Sequence, residues 1–162
     1  MKVINRSDGN VVYSLPELNI RRVFVPGESK DLSEQELNAL WQIDGGASLL
    51  RNELMVQDEE WVNKTMPYAP IEYFWLVGDV DKCILEDSLE LFKETLEYAP
   101  TGVIDLIKAR AWQLPMTDLN KMEALKQKTG FDTLKAIKVM KKPEGTAPTA
   151  QKPKERLRKR EG

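Results

Sequence analysis

The chemistry open to this chain is limited by an absent residue type, because its 162 residues include no histidine. Histidine is the commonest general base and metal ligand, and it activates the serine or cysteine of nucleophilic pairs. The single cysteine, Cys83, lies in an apolar run with Ile84 and Leu85, which is typical of a buried, unreactive thiol. Acid–base catalysis would have to rest on carboxylates or lysines alone. We therefore predict a non-enzymatic protein with no catalytic residue, cofactor or metal.

The strongest functional signal is a basic run near the end of the chain. Residues 141–162 carry eight Lys and Arg against three Glu, a net charge of about +5, so the rest of the chain, whose total is −2, carries about −7. Such a run can neutralise phosphates in a salt-sensitive way, can lie on an acidic protein surface, or can serve solubility alone. The predicted contact residues for a partner or nucleic acid are Lys152, Lys154, Arg156, Arg158, Lys159 and Arg160.

Two other patterns lack the spacing that their chemistry requires. Gly45-Gly46 is followed by Ala47-Ser48, whereas a phosphate loop needs a lysine and a hydroxyl at that place. The acidic groups at 58–60 and at Asp79 and Asp81 lack the alternating oxygens and glycine of a calcium loop. We interpret the glycines as a turn and the acidic groups as charges at helix starts.

An aromatic run lies in the middle of the chain and has two interpretations. It comprises Tyr68, Tyr73, Phe74 and Trp75. Aromatic side chains often form the centre of a docking surface, but they also wedge two packed units together. The sequence favours the second interpretation and leaves the first open.

The first third of the chain predicts short strands. Runs of β-forming residues at 2–5 and 11–14 flank Arg6–Asn10, whose residues tolerate tight turns, so we predict a hairpin there. A third strand is predicted over 20–25, and Pro16 marks a bend before it.

Helical patterns dominate the remainder. Ser33 followed by Glu36 matches a capping box, in which each side chain bonds the other residue's backbone N–H. Further along, stops are predicted at Pro100, Pro115 and Gly130. The stripes predicted to be buried are Leu89, Phe92 and Leu96, then Val103, Ile104, Ile107 and Ala111, then Leu119, Met122 and Leu125, then Leu134, Ile137 and Met140.

These patterns predict an α+β chain in four parts. Residues 1–57 form a small β-rich domain with short helices, and the polar, proline-punctuated residues 58–70 form a linker. Residues 71–140 form a compact helical bundle, because each helix has too few apolar positions to be stable alone. Residues 141–162 form an extended basic tail, in which Leu157 is the only large apolar residue.

The segment 117–142 also permits a helix-turn-helix reading. Its turn, Gly130-Phe131-Asp132, is of the right kind, and its two helices carry Lys121, Lys126, Lys128, Lys135 and Lys138. The last helix is short, however, and carries no arginine or asparagine placed to read base edges.

Several motifs of this chain resemble a group of small uncharacterised proteins of tailed bacteriophages over roughly residues 1–140. The motifs are Pro26-Gly27-Glu28, Gly45-Gly46-x-x-Leu49-Leu50, Ala99-Pro100-x-Gly102-Val103-Ile104-Asp105-Leu106-Ile107-Lys108 and Lys128-Thr129-Gly130-Phe131. They are turn and helix-packing signals and bring no functional residues with them. The resemblance implies a phage-encoded product and a component of the virion.

The expected function is therefore that of a structural component of a tailed-phage virion, such as a capsid or head accessory or a connector-type protein. Its expected partners are other virion proteins, in many copies on a symmetric assembly, with nucleic acid as an alternative partner of the tail and no membrane contact. The start of the chain, MKVINRSDGN, has no apolar signal region, so we expect synthesis in the host cytoplasm and a final place in the virion. Two alternatives stay open: a nucleic-acid-binding or regulatory protein that uses the last helices and the basic arm, and a small adaptor of a host or phage enzyme complex.

Overall fold

The computed structural model describes residues 1–115 and 117–140, and it has the predicted α+β architecture, with strands first and helices after them. The predicted tail, 141–162, lies outside the described residues.

The five strands form two small antiparallel sheets. They are β1 (Lys2–Asn5), β2 (Val11–Leu15), β3 (Ile20–Phe24), β4 (Ser29–Asp31) and β5 (Leu54–Val56). In one sheet β1 is central, and its Val3 lies opposite Lys30 of β4 and Val56 of β5. In the other sheet β2 and β3 pair with Val12 opposite Val23, across a turn that contains Pro16–Leu18.

The predicted hairpin between the first two strands is wrong, because β1 pairs with β4 and β5 and not with β2. The side chain of Asn5 explains the difference. Its amide donates to the carbonyl oxygens of Gly9 at 2.8 Å and Phe24 at 3.1 Å, while its Oδ1 accepts hydrogen bonds from the backbone and hydroxyl of Ser7. These bonds hold residues 6–10 against the end of β1. Strand β2 therefore does not pair with β1 and belongs to the second sheet.

Eight helices lie in the described part of the chain. They are α1 (Glu34–Gln42), α2 (Gly46–Ser48), α3 (Glu59–Thr65), α4 (Val77–Glu86), α5 (Leu89–Tyr98), α6 (Thr101–Gln113), α7 (Leu119–Thr129) and α8 (Thr133–Met140). A wider turn, Leu49–Glu53, continues α2, and a tight turn, Ile71–Phe74, precedes α4. No helix of the described residues has the length and apolar character needed to cross a membrane.

The capping box predicted at the start of α1 forms only in half. Ser33 Oγ accepts a hydrogen bond from the backbone N–H of Glu36 at 3.0 Å, as predicted. The carboxylate of Glu36 does not return to the cap, because it is buried and bonds Arg22 and Tyr13 instead. The carboxylate of Glu36 therefore bonds Arg22 and not the backbone N–H of Ser33.

The buried apolar side chains form two clusters. The first runs along the chain from Val3 to Tyr73 and the second from Val80 to Leu125. The first includes Trp61, Val62 and Met66, so the segment 58–70, predicted as a linker, instead contains α3 and part of the core. The proline-rich composition of 66–70 is typical of a linker. Helix α3 buries only Trp61 and Val62, and two adjacent apolar residues do not make a helical periodicity that the sequence could show.

The two clusters meet where α6 begins. A Cβ on Gly102 would lie 2.6 Å from the carbonyl oxygen of Asn52 and 2.8 Å from Cγ of Arg6. Arg6 is buried there, and its guanidinium lies 4.7 Å from the ring centroid of Tyr73. Burial lowers the pKa of Arg6 to about 10, against the opposing effects of Tyr73 and Glu53. The two clusters are packed so closely here that no boundary between separate domains is visible. The division into domains 1–57 and 71–140 stays a prediction.

Candidate protein-binding surface

Most of the aromatic run at 68–75 joins the two clusters. Tyr73 is buried, and its hydroxyl donates to Leu50 O at 2.9 Å and accepts from Val56 N at 3.1 Å. Burial raises the pKa of Tyr73. The ring of Phe74 meets Tyr73 edge to face at 5.1 Å, and Trp75 packs against the second cluster. These contacts favour the interpretation in which the run wedges the two halves together.

Tyr68 differs from the rest of the run because it points into solvent. Its side chain is 97% exposed, and that of Ile71 nearby is 83% exposed. The segment that carries them is held at both ends, since Met66 is buried and Pro70 O accepts a hydrogen bond from Tyr73 N at 2.9 Å. Pro67 and Pro70 further restrict its backbone. Two large apolar side chains are thus presented to solvent from a constrained segment.

Helix α5 supplies the facing wall of the same surface. Leu91, Glu94 and Tyr98 follow one another at spacings of three and four residues, which places them on one helix face, and Asp87, just before the helix, lines the same cleft. Leu91 is 51% exposed and Tyr98 is 63% exposed, while the opposite face of the helix packs into the second cluster. The exposed face of α5 therefore alternates acidic and apolar side chains.

These two walls enclose a cleft of about 500 Å³, which we call the tyrosine groove. It is lined by Tyr68, Pro70, Ile71, Glu72, Trp75, Asp87, Leu91, Glu94, Thr95 and Tyr98. A second cleft of about 330 Å³ adjoins it, because Tyr68, Pro70 and Tyr98 line both. The two clefts thus adjoin along these three residues, and Arg51 lines the smaller one.

The electrostatic character of the tyrosine groove is acidic. Asp87 and Glu94 contribute accessible carboxylates, Glu72 lines the groove although it is only 7% exposed, and no lysine or arginine of the described residues lines the groove. Tyrosine rings attract cations at their faces, and the carboxylates attract them by charge. The groove is suited to binding an apolar segment that also carries positive charge.

Cys83 is buried, and this burial raises the pKa of its thiol to about 11, as expected for an unreactive cysteine. Within 1–115 and 117–140, no group of three His, Cys, Asp or Glu side chains is placed to hold a metal ion.

Several lysines of the predicted helix-turn-helix are engaged within the fold. Lys121 is only 3% exposed, and its Nζ donates to the carbonyl oxygens of Ile84 at 2.9 Å and Cys83 at 3.4 Å. Lys126 pairs with Asp132 at 3.6 Å, and Lys128 pairs with Glu97 at 3.4 Å. The turn itself is as predicted, since Gly130 ends α7 with a φ of 80°.

The sequence-predicted and the observed surface residues overlap at Tyr68 and Trp75. The basic residues predicted as contacts, between Lys152 and Arg160, lie outside the described residues. Ile71, Leu91 and Tyr98 were missed by the sequence reasoning. A signal for the last two was present, because both fall off the stripe of α5 that was correctly predicted to be buried.

Comparisons of this chain with protein-family models, with curated proteins and with solved structures find no match.

Proposed function

We propose that this chain is a non-enzymatic structural component of a tailed-phage particle, a head accessory or connector-type protein that binds other virion proteins through the tyrosine groove. The phage origin rests on the motif resemblance between residues 26 and 131. The mode of action rests on one structural observation: Tyr68, Ile71, Leu91 and Tyr98 are all more than half exposed around one cleft.

The composition and rigidity of the groove support a protein interface. Contiguous exposed apolar patches are uncommon on monomeric proteins, and they mark sites of association. Tyrosine is enriched among the residues that dominate binding energy. Because α5 and the segment around Pro70 already hold these side chains in place, little conformational entropy would be lost on binding.

The alternative of nucleic-acid binding through the last helices receives less support from the described residues. Lys121 is buried, and Lys126 and Lys128 are paired with carboxylates, so these three lysines contribute little positive surface to α7. The basic residues 152–160 keep this alternative open for the tail.

The direct test is to purify particles of a phage whose genome encodes this chain. We expect quantitative mass spectrometry to find the chain in the particles at a fixed, multiple copy number that survives a density gradient. A chain that is abundant in the infected cell and absent from purified particles would refute the proposal.

Two matched variants connect the groove to incorporation. Ile71→Lys places a positive charge in the acidic groove and is expected to lower the copy number strongly. Leu119→Lys makes the same change in charge at a side chain that is 63% exposed but lies outside the groove, at the start of α7. It is expected to leave incorporation unchanged, and equal losses in both variants would remove the groove from the proposal.

A further inference from the structure

We propose that the occupant of the tyrosine groove is the basic segment 152–160 of a second copy of this chain. The inference deepens the proposed function, on which it rests, by naming the partner of the groove. It follows from charge complementarity, from the pattern of side chains along α5 and from the length of chain beyond α8.

Charge complementarity is the first step. The tyrosine groove is lined by three acidic residues, of which Asp87 and Glu94 are accessible and Glu72 is buried, and, among the described residues, by no lysine or arginine. Segment 152–160 carries six Lys and Arg against one Glu, and residues 1–140 carry a net charge of about −7. Cationic side chains also have tyrosine ring faces available in the groove, and arginine stacks on such rings especially well.

The order of the side chains is the second step. The apolar Leu91 lies on α5 one turn before the acidic Glu94, and the acidic Asp87, just before the helix, lines the same groove. In the segment, the apolar Leu157 has the basic Arg156 and Arg158 as its chain neighbours. Each partner thus combines one apolar side chain with two nearby charges, and the charges on the two partners have opposite sign. Leu157 has no other large apolar residue near it in 141–162, so an external apolar contact is its means of leaving water.

The third step concerns the length of chain that connects α8 to the basic segment. The described part of α8 extends to Met140, twelve residues before Lys152. An extended chain covers up to about 3.5 Å per residue, so this spacer reaches about 40 Å, well beyond the radius of a fold of this size. Each copy has one groove and one segment, and exchange between copies is therefore a heterologous contact that can repeat around a ring or along a lattice. Such repetition fits a protein that works in many copies.

The first measurement is self-association of the full-length chain by sedimentation velocity at low salt. The wild type is expected to associate with increasing concentration. Glu94→Lys, within the groove, is expected to weaken association about ten-fold or more, as loss of a close charge pair does. Glu90→Lys makes the same change in charge on an exposed part of α5 outside the groove and is expected to behave as the wild type. Tyr98→Ser serves as a second groove variant, should Glu94→Lys fold poorly.

The decisive measurement is complementation between two defective chains. One full-length variant has the six Lys and Arg of the segment replaced by Gln and keeps its groove, and the other is Glu94→Lys, which keeps its segment. Each is expected to be monomeric alone, and a mixture is expected to give one-to-one dimers, because one chain supplies the groove and the other the segment. Combining Glu94→Lys with Arg158→Glu in one chain is expected to restore association.

Four results would overturn the inference: a wild-type chain that stays monomeric, equal weakening by Glu90→Lys and Glu94→Lys, a mixture that forms no dimers, or association that is unaffected by Glu94→Lys while duplex DNA binds the segment. The first three exclude exchange of the segment between grooves, and the last assigns the segment to nucleic acid. Failure here with the chain still present in purified particles would leave the proposed function standing. Absence from particles would refute that function even if copies exchange their segments.

Discussion

Glu36 and Arg22 form a two-bond ion pair at the edge of the first cluster. Nε of Arg22 lies 2.8 Å from Oε2 of Glu36, and Nη2 lies 2.8 Å from Oε1. The hydroxyl of Tyr13 donates a third bond to the same carboxylate at 2.7 Å. The hydrogen bonds from Arg22, more than those from Tyr13, hold the pKa of Glu36 below its ordinary value, although burial opposes them.

We expect Glu36→Gln to lower the free energy of unfolding at pH 7 by about 2 kcal/mol, because the hydrogen bonds from Arg22 and Tyr13 lose their charged acceptor. The value is modest because Arg22 is about a third exposed and its charge is screened by water. Since the folded-state pKa of Glu36 is depressed, its stabilisation is fully present above about 4.5 and is lost as the pH falls through the folded-state value. Urea unfolding should therefore show the gap between wild type and variant narrowing from pH 5 towards pH 3.

The control for this pair is Glu34→Gln on the exposed side of the same helix turn. It is expected to change the free energy of unfolding by less than about 0.5 kcal/mol. The difference between this variant and the wild type is expected to stay the same between pH 5 and pH 3. A gap for Glu36→Gln that stays constant down to pH 3 would show that the charge of Glu36 contributes nothing.

Gly102 tests the junction between the two clusters. Gly102→Ala places a methyl group 2.6 Å from the carbonyl oxygen of Asn52, and backbone cannot move away as cheaply as a side chain. We expect a loss of about 1–3 kcal/mol in unfolding free energy. Gly78→Ala in α4 is the matched change, because a Cβ there meets nothing within 4 Å. It is expected to stabilise by about 0.5 kcal/mol through helix propensity, and chemical denaturation of both variants measures the contrast.

Lys121 tests how α4 ends. Its Nζ donates to the carbonyl oxygens of Cys83 and Ile84, which lie in the last turn of α4 and have no helical partner. Lys121→Met keeps most of the stem but removes the donor, so we expect a loss of about 1–3 kcal/mol in thermal or urea unfolding. Lys128→Met removes a half-exposed lysine of the same helix and is expected to cost less than about 1 kcal/mol. Equal effects would argue against a capping role for Lys121.

The ends of the helices in the second half could be predicted well because their signals are local. Three apolar positions predicted to be buried are wrong, however, because Leu119, Leu134 and Met140 are 63%, 49% and 53% exposed. The stripe Leu89, Phe92 and Leu96 packs into the second cluster as expected, and Gly130 ends α7 in the left-handed conformation that the sequence indicated. Caps, periodicity and a glycine stop depend on residues within one or two turns, and these are visible in one sequence.

The sheet pairing and the groove could not be predicted because they depend on distant residues. The partners of β1 are β4 and β5, the latter about fifty residues away, and no local pattern reports such pairing. The tyrosine groove likewise needs Tyr68 and Tyr98 to meet across a turn and a helix. Glu36 was assigned to a local cap because the ion pair with Arg22 exists only after β3 and α1 have packed.

The last prediction concerns removal of residues 143–162 from the chain. At a concentration at which the wild type is monomeric, the truncated chain is expected to keep its Tm within about 2 °C, less than the shift that 1 kcal/mol produces at this length. The reason is that ordering a backbone costs about 1–2 kcal/mol per residue, and Leu157 alone offers large apolar area in return. Association of the truncated chain is expected to weaken, with the greatest loss at low salt, where charge interactions are least screened. A full-length chain with the six basic residues of 152–160 replaced by Gln is the control for length, and it should lose association to the same extent. A fall in Tm of about 10 °C on truncation would show instead that Leu157 is part of the core of its own chain.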